Sequence, residues 1–264
     1  MIPRPYIAKW QQYAPWKDFS QIEQDLIISR TLVEIFSDKF LRENLAFRGG
    51  TALHKLYLSP APRYSEDIDL VQIKPGPVKP IMERLNEILL FFDEKRVTQV
   101  RGHGARIVHR FTSEYEGIRM RLKLEINCKE HFNVLDLVEF PFEVNSEWFS
   151  GKVNITTYDI NELLGTKLRA LYQRKKGRDL FDLDYSRKNI EIDYDKIIFC
   201  FKKYISFATG KKPPNKKIFI LNIEEKEKSS DFIGDMEALL RPEIIYNQEE
   251  AFDWLKNVFI EQIY

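Results

Sequence analysis

Two carboxylates stand two residues apart in the segment RYSEDIDLV, at Asp67 and Asp69. Because side chains alternate across a β-strand, residues i and i+2 share a face, so both acids point the same way. Neighbouring carboxylates repel each other, and a divalent cation that prefers oxygen ligands removes that cost. The spacing therefore predicts a site for Mg²⁺ or Mn²⁺, although a strand end with two solvated acids has the same pattern.

A glycine pair, Gly49 and Gly50, stands ahead of these acids and opens a predicted helix, with Thr51 next in the chain. Glycines at a helix N-terminus let backbone N–H groups approach a phosphate, and the helix dipole favours an anion there. The Thr51 hydroxyl adds a further donor. These residues predict a phosphate site, although a glycine pair is also a common turn.

The clearest strand candidate covers residues 118–127, where apolar and polar residues alternate with period two. Glu125 lies on its polar face together with Arg121 and Lys123. A third carboxylate would complete a metal site, and it would help to deprotonate an acceptor hydroxyl. The alternative is a half-exposed strand whose outer face is merely charged.

Charged residues also recur on two predicted helices of the second half. Lys167 and Arg169 fall away from the apolar stripe of ELLGTKLRALYQR, and a cation there could neutralise charge on a leaving pyrophosphate. In RKKGRDLFDLD, Asp179 and Asp182 are spaced i, i+3 and share a helix face, and Asp179 could also pair with Arg178. The alternative for each is a solvated helix face.

The elements that would position these residues change in type along the chain, from mixed α/β to mostly helical. This pattern predicts an α+β protein with a boundary near residue 157, giving parts 1–157 and 158–264. The predicted helices cover residues 20–43, 80–92, 159–174, 178–187, 194–207 and 248–263, with a further one opened by the glycine pair. The predicted strands cover residues 45–47, 67–73, 97–100, 106–111 and 118–127, and residues 209–217 are a predicted loop.

Composition bounds the class of protein. The 264 residues carry a net charge of +1, and no apolar run approaches the roughly 20 residues needed to cross a bilayer. The N-terminus has no apolar core of signal-peptide length, so a cytoplasmic protein without membrane contact is expected. Residues 175–217 hold twelve Lys and Arg against six Asp and Glu. This segment could meet a phosphate backbone, or it is a solvated surface.

The sequence resembles a known family in several of these motifs. FRGGTALHKLYL followed by RYSEDIDL resembles motif I of the AbiEii/AbiGii nucleotidyltransferase toxins, and ELLGTKLRAL and RKKGRDLFDLD resemble the later motifs of the family. The likeness runs from about residue 25 to about residue 190. These proteins belong to the DNA polymerase beta-like superfamily and are the toxin halves of type IV toxin–antitoxin systems, with the mycobacterial MenT toxins as relatives.

The resemblance implies a polymerase-beta-like nucleotidyltransferase core with a mixed sheet, followed by a helical domain that contributes to the active site. It implies that Asp67, Asp69 and Glu125 hold the metals, with Glu125 standing where the Lys-x-acid strand motif often has Asp. It implies catalytic roles for Lys167 and Asp182. The residues implied to bind the nucleotide are Gly49, Gly50, Thr51, Ser65, Lys123, Arg169, Arg178 and Asp179.

The reaction implied by the resemblance is metal-dependent transfer of a nucleoside monophosphate from an NTP to an acceptor hydroxyl. The expected acceptor is the 3′ end of tRNA or another RNA, with inhibition of growth as the outcome and a cognate antitoxin as a partner. Two alternatives stay open at this point. One is modification of a protein or a small molecule, as in antibiotic nucleotidyltransferases, and the other is a non-catalytic relative that binds nucleotides.

Overall fold

A computed structural model describes residues 2–92, 94 and 96–263 of the chain. The chain divides into two compact units, Met1–Tyr158 and Asp159–Tyr264. The first unit contains one mixed β-sheet with its helices, and the second is built from helices. The mixed sheet followed by helices confirms the predicted α+β class.

The sheet of the first unit has seven strands, which are β1 (Leu45–Arg48), β2 (Asp67–Gln72), β3 (Val97–Arg101), β4 (Gly104–Thr112), β5 (Arg119–Asn127), β6 (Leu137–Asn145) and β7 (Ser150–Tyr158). Two neighbouring pairs, β2 with β5 and β1 with β7, run parallel, and the other four are antiparallel. The strand order across the sheet is β3-β4-β5-β2-β1-β7-β6.

The sheet is amphipathic because its strands alternate. Ile107, Leu124 and Ile68, on β4, β5 and β2, are buried in one hydrophobic core with apolar residues of the helices of this unit. Within β4 and β5, the residues that alternate with these buried ones, such as Arg106 and Glu125, belong to the opposite face of the sheet, which carries the polar side chains. The helices of this unit are α1 (Arg4–Trp10), α2 (Phe19–Ser37), α3 (Lys39–Asn44), α4 (Gly49–Ala52) and α5 (Lys79–Ile88).

The single helix predicted over residues 20–43 is two helices, so that prediction was wrong at Asp38. This residue is extended, with φ −75° and ψ 121°, and it ends α2. Its carboxylate accepts a hydrogen bond from the Leu41 backbone N–H at 2.9 Å and caps the N-terminus of α3. The capping side chain therefore interrupts a hydrophobic pattern that is otherwise continuous. The helix predicted over 80–92 likewise ends earlier, at Ile88.

The second unit contains α6 (Ile160–Gln173), α7 (Gly177–Asn189), α8 (Tyr194–Thr209), α9 (Lys216–Glu227), α10 (Ser230–Ile233), α11 (Gln248–Trp254) and α12 (Ile260–Ile263). A π-helical turn joins α11 to α12, so the predicted helix over 248–263 is continuous in outline. Gly210, at φ +67°, ends α8, and the Asn215 side chain caps α9, whose first residues fall inside the predicted loop 209–217. None of the helices in the described part of the chain combines the length and apolar character of a transmembrane segment.

Candidate functional site

The acid pair lies at the start of β2, where Asp67 and Asp69 share the polar face of the sheet and are half-buried. Strand β2 pairs in parallel with β5, and the register places Asp67 beside Lys123 and Asp69 beside Glu125. Directly opposed residues on neighbouring strands point to the same side of the sheet. The register therefore puts the three predicted metal-binding carboxylates on one face of two adjacent strands.

Two cations from the same face accompany the carboxylates. The Lys123 Nζ lies 2.6 Å from Asp67 Oδ2 and 3.6 Å from Glu125 Oε1. Arg106, opposite Glu125 on β4, places its guanidinium 2.7 Å from Glu125 Oε1. Burial alone would lower the pKa of Lys123, yet the Asp67 hydrogen bond and the Asp67 and Glu125 charges raise that pKa above its usual value. The ammonium group is therefore charged at neutral pH.

Within residues 2–92, 94 and 96–263, no three His, Cys, Asp or Glu side chains are arranged as a metal site. The Lys123 ammonium lies within ion-pair distance of both Asp67 and Glu125 and offsets their charge. A cation therefore already stands among these oxygens. Three carboxylates are ligands of the kind that Mg²⁺ or Mn²⁺ prefers, so the donor set fits a divalent cation.

Gly49 begins α4 directly after β1 and lies against Asp69. Its φ of +86° belongs to the left-handed region, which favours glycine. A Cβ atom added at this position would lie 2.1 Å from Asp69 Oδ2, far inside van der Waals contact. The backbone at the predicted phosphate loop therefore approaches a predicted metal ligand as closely as only glycine permits. Gly50 follows within the same short helix.

Thr51 and Ser65 tie the glycine segment to the start of β2. The Thr51 hydroxyl donates to the Asp67 carbonyl oxygen at 2.5 Å and shares a second hydrogen bond of 2.8 Å with the Ser65 hydroxyl. Thr51 is buried. In this structure the Thr51 hydroxyl holds the backbone of Asp67 and the Ser65 hydroxyl bonds to Thr51, and the predicted contact of both with a triphosphate stays a prediction.

Arg48 is a charged residue of this region that the sequence-based interpretation did not select. It stands opposite Asp69 on β1, on the same face of the sheet, and its guanidinium pairs with Glu130 at 2.5 Å. Glu130 also accepts a hydrogen bond from the Asn127 amide at 3.2 Å. The position of Arg48 immediately before the glycine pair was the available signal, but only the strand register places it beside Asp69.

In the second unit, three predicted residues come together between α6 and α7. The Lys167 Nζ lies 2.7 Å from Asp182 Oδ2 and 3.6 Å from Asp179 Oδ1. Both aspartates are fully buried, and Lys167 is nearly so. Asp179 is held by Arg174, a residue not selected from the sequence, through two hydrogen bonds of 2.7 and 2.8 Å. The pairing satisfies buried charges that would otherwise be costly.

The other two predicted nucleotide ligands of this unit contact residues outside that group. The Arg169 guanidinium stacks over the Tyr204 ring, 5.2 Å from its centroid. Arg178, at the start of α7, donates its backbone N–H to Asp235 at 3.1 Å, and its side chain lies 3.9 Å from the same carboxylate. The structure thus brings together Lys167, Asp179 and Asp182, whereas the contacts described for Arg169 and Arg178 are with Tyr204 and Asp235.

Comparison with protein-family models finds a match over residues 30–258 to the AbiEii family, described as nucleotidyl transferase toxins of type IV toxin–antitoxin systems. No curated protein matches the chain by sequence.

Several solved structures share the fold. One is the nucleotidyltransferase toxin MenT4 from Mycobacterium tuberculosis H37Rv, with a TM-score of 0.70, 17% identity and coverage of 100% of this chain and 91% of that chain. JHP933 from Helicobacter pylori has a TM-score of 0.58 and 19% identity, covering 92% and 91% of the two chains. A putative nucleotidyltransferase from H. pylori has the same score and identity, with coverage of 92% and 94%.

Proposed function

Because the chain belongs to the AbiEii family of nucleotidyl transferase toxins of type IV toxin–antitoxin systems, we propose that it transfers a nucleoside monophosphate from an NTP to an acceptor hydroxyl in a reaction that requires a divalent metal. The observation that carries the proposal is the row of carboxylates on β2 and β5. Asp69 and Glu125 are register partners, Asp67 is on the same face, and Gly49 packs against Asp69.

In the proposed reaction the acceptor oxygen attacks the α-phosphorus, and the bond from that phosphorus to the β-phosphate oxygen breaks. Pyrophosphate leaves, and the hydroxyl proton passes to Glu125. Mg²⁺ or Mn²⁺ held by Asp67, Asp69 and Glu125 would lower the pKa of the acceptor hydroxyl and offset negative charge on the triphosphate. The backbone N–H groups at Gly49 and Gly50 are proposed to hold the phosphates, because small residues let the chain approach an anion closely.

The remaining predicted ligands keep their roles as proposals that rest on the family resemblance. Lys167, in its pair with Asp182, is proposed to bind the triphosphate, and Asp179 is proposed to orient it together with Arg174. Thr51, Ser65, Lys123, Arg169 and Arg178 are proposed as further nucleotide contacts. A lysine whose carboxylate partners are fixed by burial is held in one position, which suits the binding of a defined phosphate.

The proposed acceptor is the 3′ end of tRNA or another RNA, and the proposed setting is the cytoplasm, where a cognate antitoxin would counteract the toxin. Support for this step comes from the family and not from the site. The carboxylate row activates any hydroxyl that reaches it. Selection of the acceptor must therefore come from other surfaces of the chain.

The proposal is tested by incubating the protein with each α-labelled NTP, Mg²⁺ or Mn²⁺, and total RNA together with total protein. We expect label in a tRNA-sized RNA band for the wild type. Asp69→Ala should abolish transfer, a loss of about 1,000-fold or more, because a metal ligand is removed. The folded state of the variant is checked by its thermal unfolding.

Glu87→Ala is the matched control, because Glu87 is a solvent-exposed carboxylate on α5 that pairs only with Arg84 among the described residues. It should transfer label like the wild type. Label in protein or small molecules instead of RNA would reassign the acceptor. A folded Asp69→Ala protein with wild-type activity would falsify the assignment, and a wild type without transfer to any fraction would support the non-catalytic alternative.

A further inference from the structure

The polar face of the sheet continues from the carboxylates into a basic surface. On this face β3, β4 and β5 bring arginines next to one another, all of them exposed. The register places Arg106 in the same cross-strand row as Glu125 and Asp69, and it places the pair Arg110 and Arg121 in the row next to that of Lys123 and Asp67. The other two arginines lie in outer rows, opposite Thr112 and Gly104. The residues of this surface, named here the arginine face, are Arg101, Arg106, Arg110, Arg119 and Arg121.

Two of these arginines oppose each other without compensation. Arg110 on β4 and Arg121 on β5 are direct register partners, so their Cβ atoms are about 5 Å apart. Neither side chain has an ion-pair or hydrogen-bond partner among the residues that the structure describes. Like charges placed directly opposite each other destabilise a sheet. A bound anion removes that repulsion, just as a cation removes the repulsion between the carboxylates.

The pair of Arg110 and Arg121 lies in the cross-strand row next to that of Asp67. Arg121 precedes Lys123 by two residues on β5, and Lys123 is the register partner of Asp67. Two residues along a strand span about 7 Å. An extended polyanion lying on the arginine face can therefore place its end at the carboxylates while its preceding phosphates contact Arg110 and Arg121.

In the basic segment 175–217 of the second unit, most cations are compensated by carboxylates. At least seven of its twelve cations form ion pairs with carboxylates in the part of the chain that the structure describes, among them Lys175 with Glu225 and Arg187 with Asp184. These pairs offset much of the local positive charge that its sequence suggested. The uncompensated charge beside the candidate site lies instead at Arg110 and Arg121 of the arginine face, whereas Arg106 pairs with Glu125.

We infer that the arginine face is the docking surface for the phosphodiester backbone of the acceptor RNA. This inference rests on the proposed function and adds to it the surface that selects the acceptor. Charge complementarity favours a nucleic acid, because exposed guanidinium groups arranged in rows match phosphates spaced along a strand. The contacts carry no sequence information, so they bind the backbone and direct its 3′ end to the carboxylates.

The test compares wild type with the double variant Arg110→Gln/Arg121→Gln. RNA affinity is measured by fluorescence anisotropy with a labelled mixed-sequence single-stranded RNA over a range of salt concentrations. The variant should bind at least about tenfold more weakly, and the slope of log K against log salt should fall by about 1.4, or about 0.7 per phosphate contact. Its unfolding free energy should not decrease, because a like-charge pair is removed.

The matched control is Lys211→Gln/Lys212→Gln, which removes two exposed charges from the basic segment of the second unit. It should keep the wild-type affinity and slope. The inference is overturned if this control loses binding while the arginine variant does not. It is also overturned if the arginine variant keeps its affinity for RNA but loses affinity for polyaspartate, which would mark a surface for an acidic protein.

The outcome for the proposed function is read separately, from transfer of label. Wild type that binds RNA through these arginines but transfers no nucleotide would leave the docking surface in place and refute the enzyme assignment. If wild type and both double variants transfer label to RNA with equal efficiency and bind RNA with equal affinity, the enzyme assignment is retained and the docking surface is refuted.

Discussion

At the scale of single residues, Gly49 shows how backbone freedom and side-chain placement serve the same site. Its positive φ alone favours glycine, and the contact with Asp69 excludes any larger residue. The sequence indicated a phosphate loop from the glycine pair. It could not indicate that the first glycine also makes room for a carboxylate, because that contact joins residues twenty positions apart.

We therefore expect Gly49→Ala to reduce nucleotide transfer by about 100-fold, because the added methyl group displaces the Asp69 carboxylate and a shift of about 1 Å at a reacting centre has that effect. The left-handed backbone should also reduce the unfolding free energy by about 1–2 kcal/mol. Transfer is measured with labelled NTP, and stability by urea unfolding. Gly234→Ala is the control, since a Cβ there meets nothing within 4 Å, and equal activity of the two variants would contradict the explanation.

At the scale of elements, the sequence predicted five of the seven strands. Strand β5 was read from its period-two alternation and spans Arg119–Asn127. The two missed strands, β6 and β7, do not show the alternating burial of β5. Strand β6 is an edge strand with one buried residue and contains Pro141, and the four buried residues of β7 are consecutive. Proline cannot donate a backbone hydrogen bond, so it weakens the pattern of a strand and is tolerated at an edge. Strand β5 has buried residues along one face and was predicted from the sequence, whereas β6 has one buried residue and was not predicted.

His109, on the buried face of β4, leads to a prediction for how the unfolding free energy depends on pH. Burial, assisted by the charge of Arg96, lowers the pKa of His109 from 6.5 to about 4, and the ring stacks on Phe92 with centroids 4.2 Å apart. A histidine with a depressed folded pKa stabilises the fold fully above pH 6.5, and this contribution is lost as pH falls toward 4. The loss of unfolding free energy over that range is about 3 kcal/mol.

His109→Leu should flatten this part of the stability curve, as measured by urea unfolding at a series of pH values. His103→Leu, at an exposed turn residue, is the control and should keep the wild-type slope. If the unfolding free energies of His109→Leu and wild type fall in parallel between pH 6.5 and 4, the His109 imidazole does not cause the loss of stability in acid.

At the scale of the whole molecule, the net charge of +1 conceals a strong local arrangement. The carboxylate row and the arginine face belong to one side of one sheet, and their order follows from strand pairing. Asp67, Asp69 and Glu125 could be selected from the sequence by residue type and spacing. The arginines could not, because only the register of β3, β4 and β5 reveals that they lie next to those carboxylates.

The internal cation Lys123 leads to a prediction for metal removal. Because its ammonium group already offsets Asp67 and Glu125, chelation with EDTA should abolish transfer while changing the unfolding free energy by less than about 1 kcal/mol. Lys123→Met should behave differently, with added Mg²⁺ raising its thermal stability more than that of wild type. Lys152→Met, which removes an exposed pair with Glu143, is the control and should respond to Mg²⁺ like the wild type.

Lys123 also has a consequence for the protein in a cell that is short of divalent metal. A fold whose carboxylates are neutralised from within does not depend on the supply of divalent ions to persist. If transfer requires the metal as proposed, chains made during metal starvation would stay folded but inactive until nucleotide and metal were supplied again. The level of protein and the level of activity would therefore be set by separate conditions.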